Sequence, residues 1–500
     1  MSARAVPDRP SPRSGAPGGL RRDQLGVANI VFFIIAAASP LTVVIALFPI
    51  MVGYGNGYGM PGTFIVVGAL VLLFAVGYVA MARHVSNAGA FYTYVTMGLG
   101  RVMGLGAAFL TVFAYMALEA ALFAAFGFYL NELLAAQLQI DVPWWVLSLV
   151  ALSLCLTLGI LGVHSGARLL GVFMSLETLM IVVLSAFSLF NGPNPIGDYS
   201  LAPLGPSAVF SGSFGVALMF AYSAFIGFEG SAIYSEEAKD PHRTIPRATY
   251  LAVLFMALLY AISGWLLVNA LGLHQTVDLA TKEGGNFTFA VSDTLIGGDI
   301  TVLYQVLIVT ATLAASMAFH NNVSRYLFVL GRSGLIWTGL ARTHPTRRTP
   351  HVAGFAQAAV LAVVVAVFAI IGADPFMTLF TGAGGIGTIG VIVSQAIAAI
   401  AILAYFRRSR VDRRLWNTVV APALAACGLI AVIVYSLSSL DILLGVSGTL
   451  SILLISLNFA AILVGVLYGL FLRAYDRDRY DQVNAALEED PAAVEPALAT

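Results

Sequence analysis

The chain has 500 residues, of which 59% are hydrophobic and 10% charged; soluble domains carry roughly 25% charged residues. Most of the length must therefore face lipid or another apolar helix, which excludes a soluble globular body. Basic and acidic residues number 25 each, so the net charge is zero and the information lies in where the charges fall.

Residues 1–22 are rich in Pro, Gly, Ser and Arg and lack an apolar run, so they read as a disordered cytoplasmic tail and not as a cleaved signal. Hydropathy then predicts about twelve membrane spans, near 27–53, 61–82, 102–130, 143–162, 168–190, 207–235, 246–271, 300–331, 351–371, 374–406, 415–437 and 449–473. Residues 23–473 are expected to form one membrane domain, and the acidic, Ala-rich 474–500 a second cytoplasmic tail. The longest connection, 272–299, has room for a short helix only. An even number of spans puts both termini on one side of the membrane. Lys282 is the only basic residue in the odd-numbered connections, whereas Arg83, Arg101, Arg243, Arg247, Arg342, Arg347, Arg348, Arg407, Arg408 and Arg410 flank the even-numbered ones. By the positive-inside rule the even loops and both tails are cytoplasmic, and the basic residues are topology signals and not a nucleic-acid surface.

Taken in chain order, the first defect is Ala36-Ala37-Ala38-Ser39-Pro40 in the first span. Pro40 has no amide hydrogen, so Ala36 loses its usual helical partner, and the small side chains leave room for a ligand to approach freed backbone. A proline kink alone would account for this segment. Glu119 in the third span and Glu177 in the fifth are acids at membrane depth, either satisfied by structural hydrogen bonds or able to relay protons. The sixth span carries Phe225-Ile226-Gly227-Phe228-Glu229-Gly230-Ser231, in which two glycines weaken the helix around another acid. Glu229 reads as a gating or coupling group, with a neutral structural acid as the plainer alternative. His320-Asn321-Asn322 in the eighth span is too polar for lipid and is expected to face the bundle, and the Gly-rich 382–387 of the tenth reads as close-packed or flexible. Cys155 and Cys427 both fall inside spans and are read as small buried hydrophobes. The seven histidines form no metal-binding pattern, and no cofactor is expected.

Two interruptions at matching places, in the first and sixth spans, point to two inverted five-helix repeats followed by two extra helices. The expected fold class is thus an all-α polytopic membrane protein with broken helices 1 and 6.

These strings, with Glu236-Glu237-Ala238-Lys239-Asp240-Pro241, Ile245-Pro246-Arg247-Ala248, Asn87-Ala88-Gly89-Ala90-Phe91-Tyr92, and the eighth-span Ser324-Arg325-Tyr326 and Gly331-Arg332, resemble a bacterial amino acid permease of the amino acid, polyamine and organocation transporter superfamily. The likeness runs over roughly residues 24–473. It implies that a substrate carboxylate docks on amides around Ala37, Ala38 and Ser39. It also implies that the amino group meets carbonyls around Ser223, Ile226 and Gly227, with Phe228 in the same string. Half-helix N-termini do attract carboxylates, and freed carbonyls attract ammonium groups. The chain departs from the family's common pattern in having alanines and Pro40 at the first break and Ser223 where some members place a large aromatic. Glu177 stands where a proton-coupling Lys is often found.

The expected activity is secondary transport of an amino acid across the cytoplasmic membrane by alternating access, driven by the proton gradient, with Glu229, Glu177 and Glu119 as coupling or gating residues. The chain carries no nucleotide-binding motif. A polyamine or cationic amino acid is the alternative cargo, because three membrane acids have no evident buried Lys or Arg to balance them. Expected partners are a small amino acid or amine, the proton and membrane lipid.

Overall fold

With no water at mid-membrane, the backbone groups of an apolar segment must pair within that segment, so the hydropathy runs fold as helices. The computed structural model describes residues 26–84, 90–162, 167–229, 239–439, 441 and 448–481, and among these it contains helices and no strand. The segment 230–238 of the sixth-span signature, and Asn87, Ala88 and Gly89, lie outside the described residues.

The helices are α1 (Val27–Ala38), α2 (Phe48–Gly53), α3 (Met60–Ala82), α4 (Ala90–Leu99), α5 (Arg101–Leu138), α6 (Trp144–Leu161), α7 (Ala167–Asn191) and α8 (Phe214–Ser223). They continue as α9 (Pro241–Leu271), α10 (Leu273–Glu283), α11 (Phe287–Leu295), α12 (Gly298–Arg332), α13 (His351–Ile370), α14 (Thr381–Ser409), α15 (Ala421–Leu437) and α16 (Thr449–Tyr475). Among the described residues, 11 helical stretches are long and apolar enough to cross a membrane. The other expected span is represented by α8, only 10 residues long, because the chain turns at its end.

Three of the helices, α4, α10 and α11, lie outside the spans, and only one short helix was expected there. The connection 272–299 holds both α10 and α11. Between the second and third spans lies α4, too short for hydropathy to single out. It is held by Phe91 and Tyr94, which are 0% and 1% exposed.

Packing separates the helices into two groups. In one, α3 packs on α9 and α8, and α1 packs on α9; in the other, α5, α6, α12 and α13 pack on one another. The 38-residue α5 runs through the second group. At 1.5 Å per residue it is about 57 Å long, well beyond the hydrocarbon thickness. It also carries α4, α14 and α16 against its other faces.

Leu251, Leu254, Leu258 and Ile262 form an exposed stripe along α9, while Ala252, Val253, Met256 and Tyr260 are buried on its opposite side. In water the stripe would be a liability; on a membrane helix it is the face for lipid tails. Cys427 lies on such an exposed face of α15, unlike the buried Cys155. Both lie in apolar spans, but only Cys155 faces a neighbouring helix.

The Gly-rich run of α14 is close-packed at Gly387. A Cβ there would sit 2.7 Å from the Ala114 carbonyl oxygen and 2.9 Å from the Leu118 amide nitrogen, both backbone atoms of α5. Gly387→Ala is expected to push α14 off α5 and cost about 1–3 kcal/mol, read as a lowered melting temperature of the detergent-purified protein.

Candidate functional site

The first span is interrupted at Ser39, which adopts a left-handed conformation, φ 46° and ψ 73°. That conformation costs a non-glycine residue roughly 1–2 kcal/mol. It is held by the Ser39 amide on the Ala36 carbonyl at 3.3 Å and by the Ser39 and Thr42 hydroxyls at 2.8 Å. A turn Pro40–Thr42 and a π-helical turn Val43–Leu47 follow before α2. The wider turn loosens the i−4 ladder, and its carbonyls find outside donors: Thr288 Oγ1 donates to Val44 O at 3.0 Å and Tyr129 Oη to Ile45 O at 3.5 Å.

The left-handed turn at Ser39 breaks the helical ladder, so the Leu41 amide lies in the first turn of the second half-helix, at its positive end and without a partner in that helix. Glu177, reaching across from α7 and 6% exposed, supplies its partner. Its carboxyl group interacts with the Leu41 amide and with the Ser39 side chain. The Tyr260 hydroxyl on α9 lies within the electrostatic reach of Glu177 and has no hydrogen-bond partner among the described residues.

The sixth span breaks after Ser223 into a succession of tight turns, with Phe225 N on Tyr222 O at 3.0 Å and Ile226 N on Ser223 O at 3.1 Å. Gly227 has φ 112°, a conformation that requires glycine. Glu229 then folds back on the break: its Oε2 accepts from the Gly227 amide at 2.9 Å, and its Oε1 accepts from the Tyr115 hydroxyl of α5 at 2.9 Å. Tyr78 of α3 donates to the Glu229 carbonyl at 2.8 Å. The acid thus ties the sixth span to the third and second. A glutamine offers one acceptor where two donors wait, so Glu229→Gln is expected to lose about 1–2 kcal/mol of stability, seen as a lower melting temperature, and to slow uptake.

Between the breaks lies a partly open cavity. Ala38, Ser39 and Thr42 line it from the first break, Phe220, Ser223 and Ile226 from the sixth span. Leu118, Ala121 and Leu122 of α5, Ala315 and Phe319 of α12, and Phe380 and Gly384 complete the wall with Val43 and Leu47. Of the residues expected at a ligand site, Ala38, Ser39, Ser223 and Ile226 therefore share one cavity. The backbone of Ala37 belongs to α1, and its side chain lies outside the described residues.

Gly227 and Phe228 do not line the cavity. Phe228 turns the other way, edge-on against Phe74 and Tyr78 at 6.0 and 6.1 Å. Glu119 also points away, into the packing of α5 with α12 and α13, where it meets His320 and Gln357. His320 is buried as expected, but Asn322 is exposed, since two residues along a helix turn the side chain by about 200°. The wall residues Thr42 and Phe319 carried no mark in the sequence beyond their spans, whereas Gly384 belongs to the Gly-rich run of the tenth. Among the described residues, no group of three His, Cys, Asp or Glu is placed to hold a metal ion.

Fold and cavity together define a multi-pass helical membrane protein with a central chamber between two broken helices. The chain belongs to the amino acid permease family, whose profile matches residues 25–469. It is 25% identical over 348 residues to the low-affinity putrescine importer PlaP of Escherichia coli (strain K12), covering 66% of this chain and 71% of that one. It is 24% identical over 320 residues to the branched-chain amino acid permease BcaP of Bacillus subtilis (strain 168), covering 59% and 65%. An uncharacterized transporter of Mycobacterium tuberculosis (strain CDC 1551 / Oshkosh) is 27% identical over 390 residues, 78% of this chain and 82% of that protein.

Proposed function

We propose that this chain is a secondary active transporter, not an enzyme, that carries an amino acid across the cytoplasmic membrane by alternating access and draws on the proton gradient, with both termini in the cytoplasm. The observation that carries the reading is the convergence of both helix breaks on one cavity, with Glu177 behind Ser39. The two packing groups support a five-plus-five repeat, since first, second, sixth and seventh spans fall in one and third, fourth, eighth and ninth in the other.

Glu177 provides a physical route to coupling. A substrate carboxylate is drawn to the Leu41 amide for the same reason that Glu177 is: it is the positive end of a half-helix. An ionised Glu177 repels that carboxylate and competes for the donor. A proton on Glu177 removes the repulsion and leaves only a weaker, neutral acceptor on the donor, so proton and substrate load together. The side chain of the substrate then faces Val43, Leu47, Leu122 and Phe319, a wall suited to an apolar group.

One observation favours an amine as cargo instead. Among the described residues no Lys or Arg lines the cavity, and Glu177 is held to Ser39 of its wall. Competition binding on the purified protein separates the two readings, with leucine, alanine, lysine and putrescine as competitors. Tightest binding by an apolar amino acid is the expected result. Tightest binding by putrescine, with no effect of leucine, would transfer the assignment to polyamines.

A further inference from the structure

Behind the cavity wall, three buried side chains from three helices meet. Glu119 on α5, His320 on α12 and Gln357 on α13 are 0%, 2% and 1% exposed. His320 Nδ1 lies 2.9 Å from Glu119 Oε1, and Gln357 Nε2 donates to Glu119 Oε2. The same Nε2 lies 3.2 Å from His320 Nδ1, and the Ser324 hydroxyl donates to Gln357 Oε1 at 3.1 Å.

In this arrangement Gln357 Oε1 faces the Ser324 hydroxyl and Nε2 faces both Glu119 Oε2 and His320 Nδ1. One hydrogen lies between Nδ1 and Oε1; carried by Glu119 it leaves both side chains uncharged and avoids burying an ion pair at membrane depth. The surrounding groups favour this assignment. Among the described residues, the titratable groups that act on Glu119 from the packed helices are His320 and, from α6, Cys155, and neither is a Lys or Arg. An ionised carboxylate without a cation is costly at membrane depth.

We propose that Glu119, His320 and Gln357 form a proton-binding site separate from the substrate cavity, filled in this conformation and emptied when α5 and α12 shift against each other. The neighbours in sequence make the link to the cavity. Leu118 precedes Glu119 and Phe319 precedes His320, and both line the chamber. A movement of that wall alters the 2.9 Å contact directly behind it. If α5 and α12 separate, the acid loses its acceptor, gains water and releases its proton. The proton site itself does not depend on the transport reading; its release during a transport cycle does.

The test is infrared spectroscopy of the full chain in lipid vesicles at about pH 7, comparing the carboxylic-acid C=O stretch of wild type, E119Q and H320L. This readout needs no substrate, so it stands apart from any failure to find one. The expected result is that E119Q loses the absorption of one protonated carboxyl group and that H320L, which removes the acceptor, shifts that band to higher wavenumber. H320L keeps the assignment testable should E119Q fail to fold. The pH profile of uptake is expected to flatten in E119Q. An E119Q spectrum identical to wild type, or an H320L spectrum with no shifted band, would overturn the proton site. Loss of the band with an unchanged pH profile of uptake would overturn its emptying during transport.

Discussion

Glu177→Gln is expected to abolish uphill accumulation of substrate while leaving binding and exchange in place. A glutamine carbonyl can still accept from the Leu41 amide, so the first break keeps its partner and the fold its stability. What the side chain loses is the ability to ionise. It imitates the protonated acid permanently: a neutral acceptor that does not repel a substrate carboxylate and that the stronger, charged acceptor can displace from the half-helix end. A transporter in that state can exchange label across the membrane but cannot convert a proton gradient into a substrate gradient. The measurement is accumulation in vesicles under an imposed inward proton gradient, with exchange of preloaded substrate as the control for folding. Accumulation equal to wild type would make Glu177 a structural cap and move the coupling role to Glu119 or Glu229.

The second large effect is expected from Gly384→Leu. A Cβ at this position has Ala121 Cβ at 3.7 Å as its nearest neighbour, an ordinary contact, so the added side chain projects into open cavity. Gly-to-Leu within a helix also gains roughly 0.8–1 kcal/mol of helix propensity. The variant should fold at least as well as wild type and lose substrate affinity on the order of 100-fold, because a cavity filled by leucine cannot also hold a ligand. Gly227→Leu would not test this cleanly, since φ 112° forbids the side chain for reasons of backbone strain. Unaltered affinity in a well-folded Gly384→Leu protein would place the substrate outside this cavity.

The membrane spans and both helix breaks were legible in the sequence because each depends on a local property: an apolar run, a proline without N–H, a pair of glycines around an acid. The side-chain contacts that other helices bring to them were not. Nothing in the spacing of Glu177 shows that it meets the Leu41 amide, since that contact needs α7 to cross the first break. Phe228 illustrates the reverse case. It belongs to the sixth-span string, yet the positive φ of Gly227 turns the chain so that Phe228 packs on Phe74 and Tyr78 and Ile226 faces the cavity. Glu119 and His320 were each visible as polar residues in apolar spans, but a pair 201 positions apart in the chain becomes a unit only once α5 and α12 pack. The short α4 escaped hydropathy altogether because its stability comes from burying Phe91 and Tyr94 and not from its length.

The central claim, that the cavity between the two breaks moves an amino acid at the expense of a proton gradient, is tested most directly in vesicles containing only this protein. Labelled amino acids and polyamines are offered with and without an imposed inward proton gradient. An apolar amino acid is predicted to accumulate inside beyond its outside concentration when the gradient is present, and to fall back to equilibrium when a protonophore collapses it. Accumulation that ignores the gradient, or no movement of any amino acid or amine, would contradict the account.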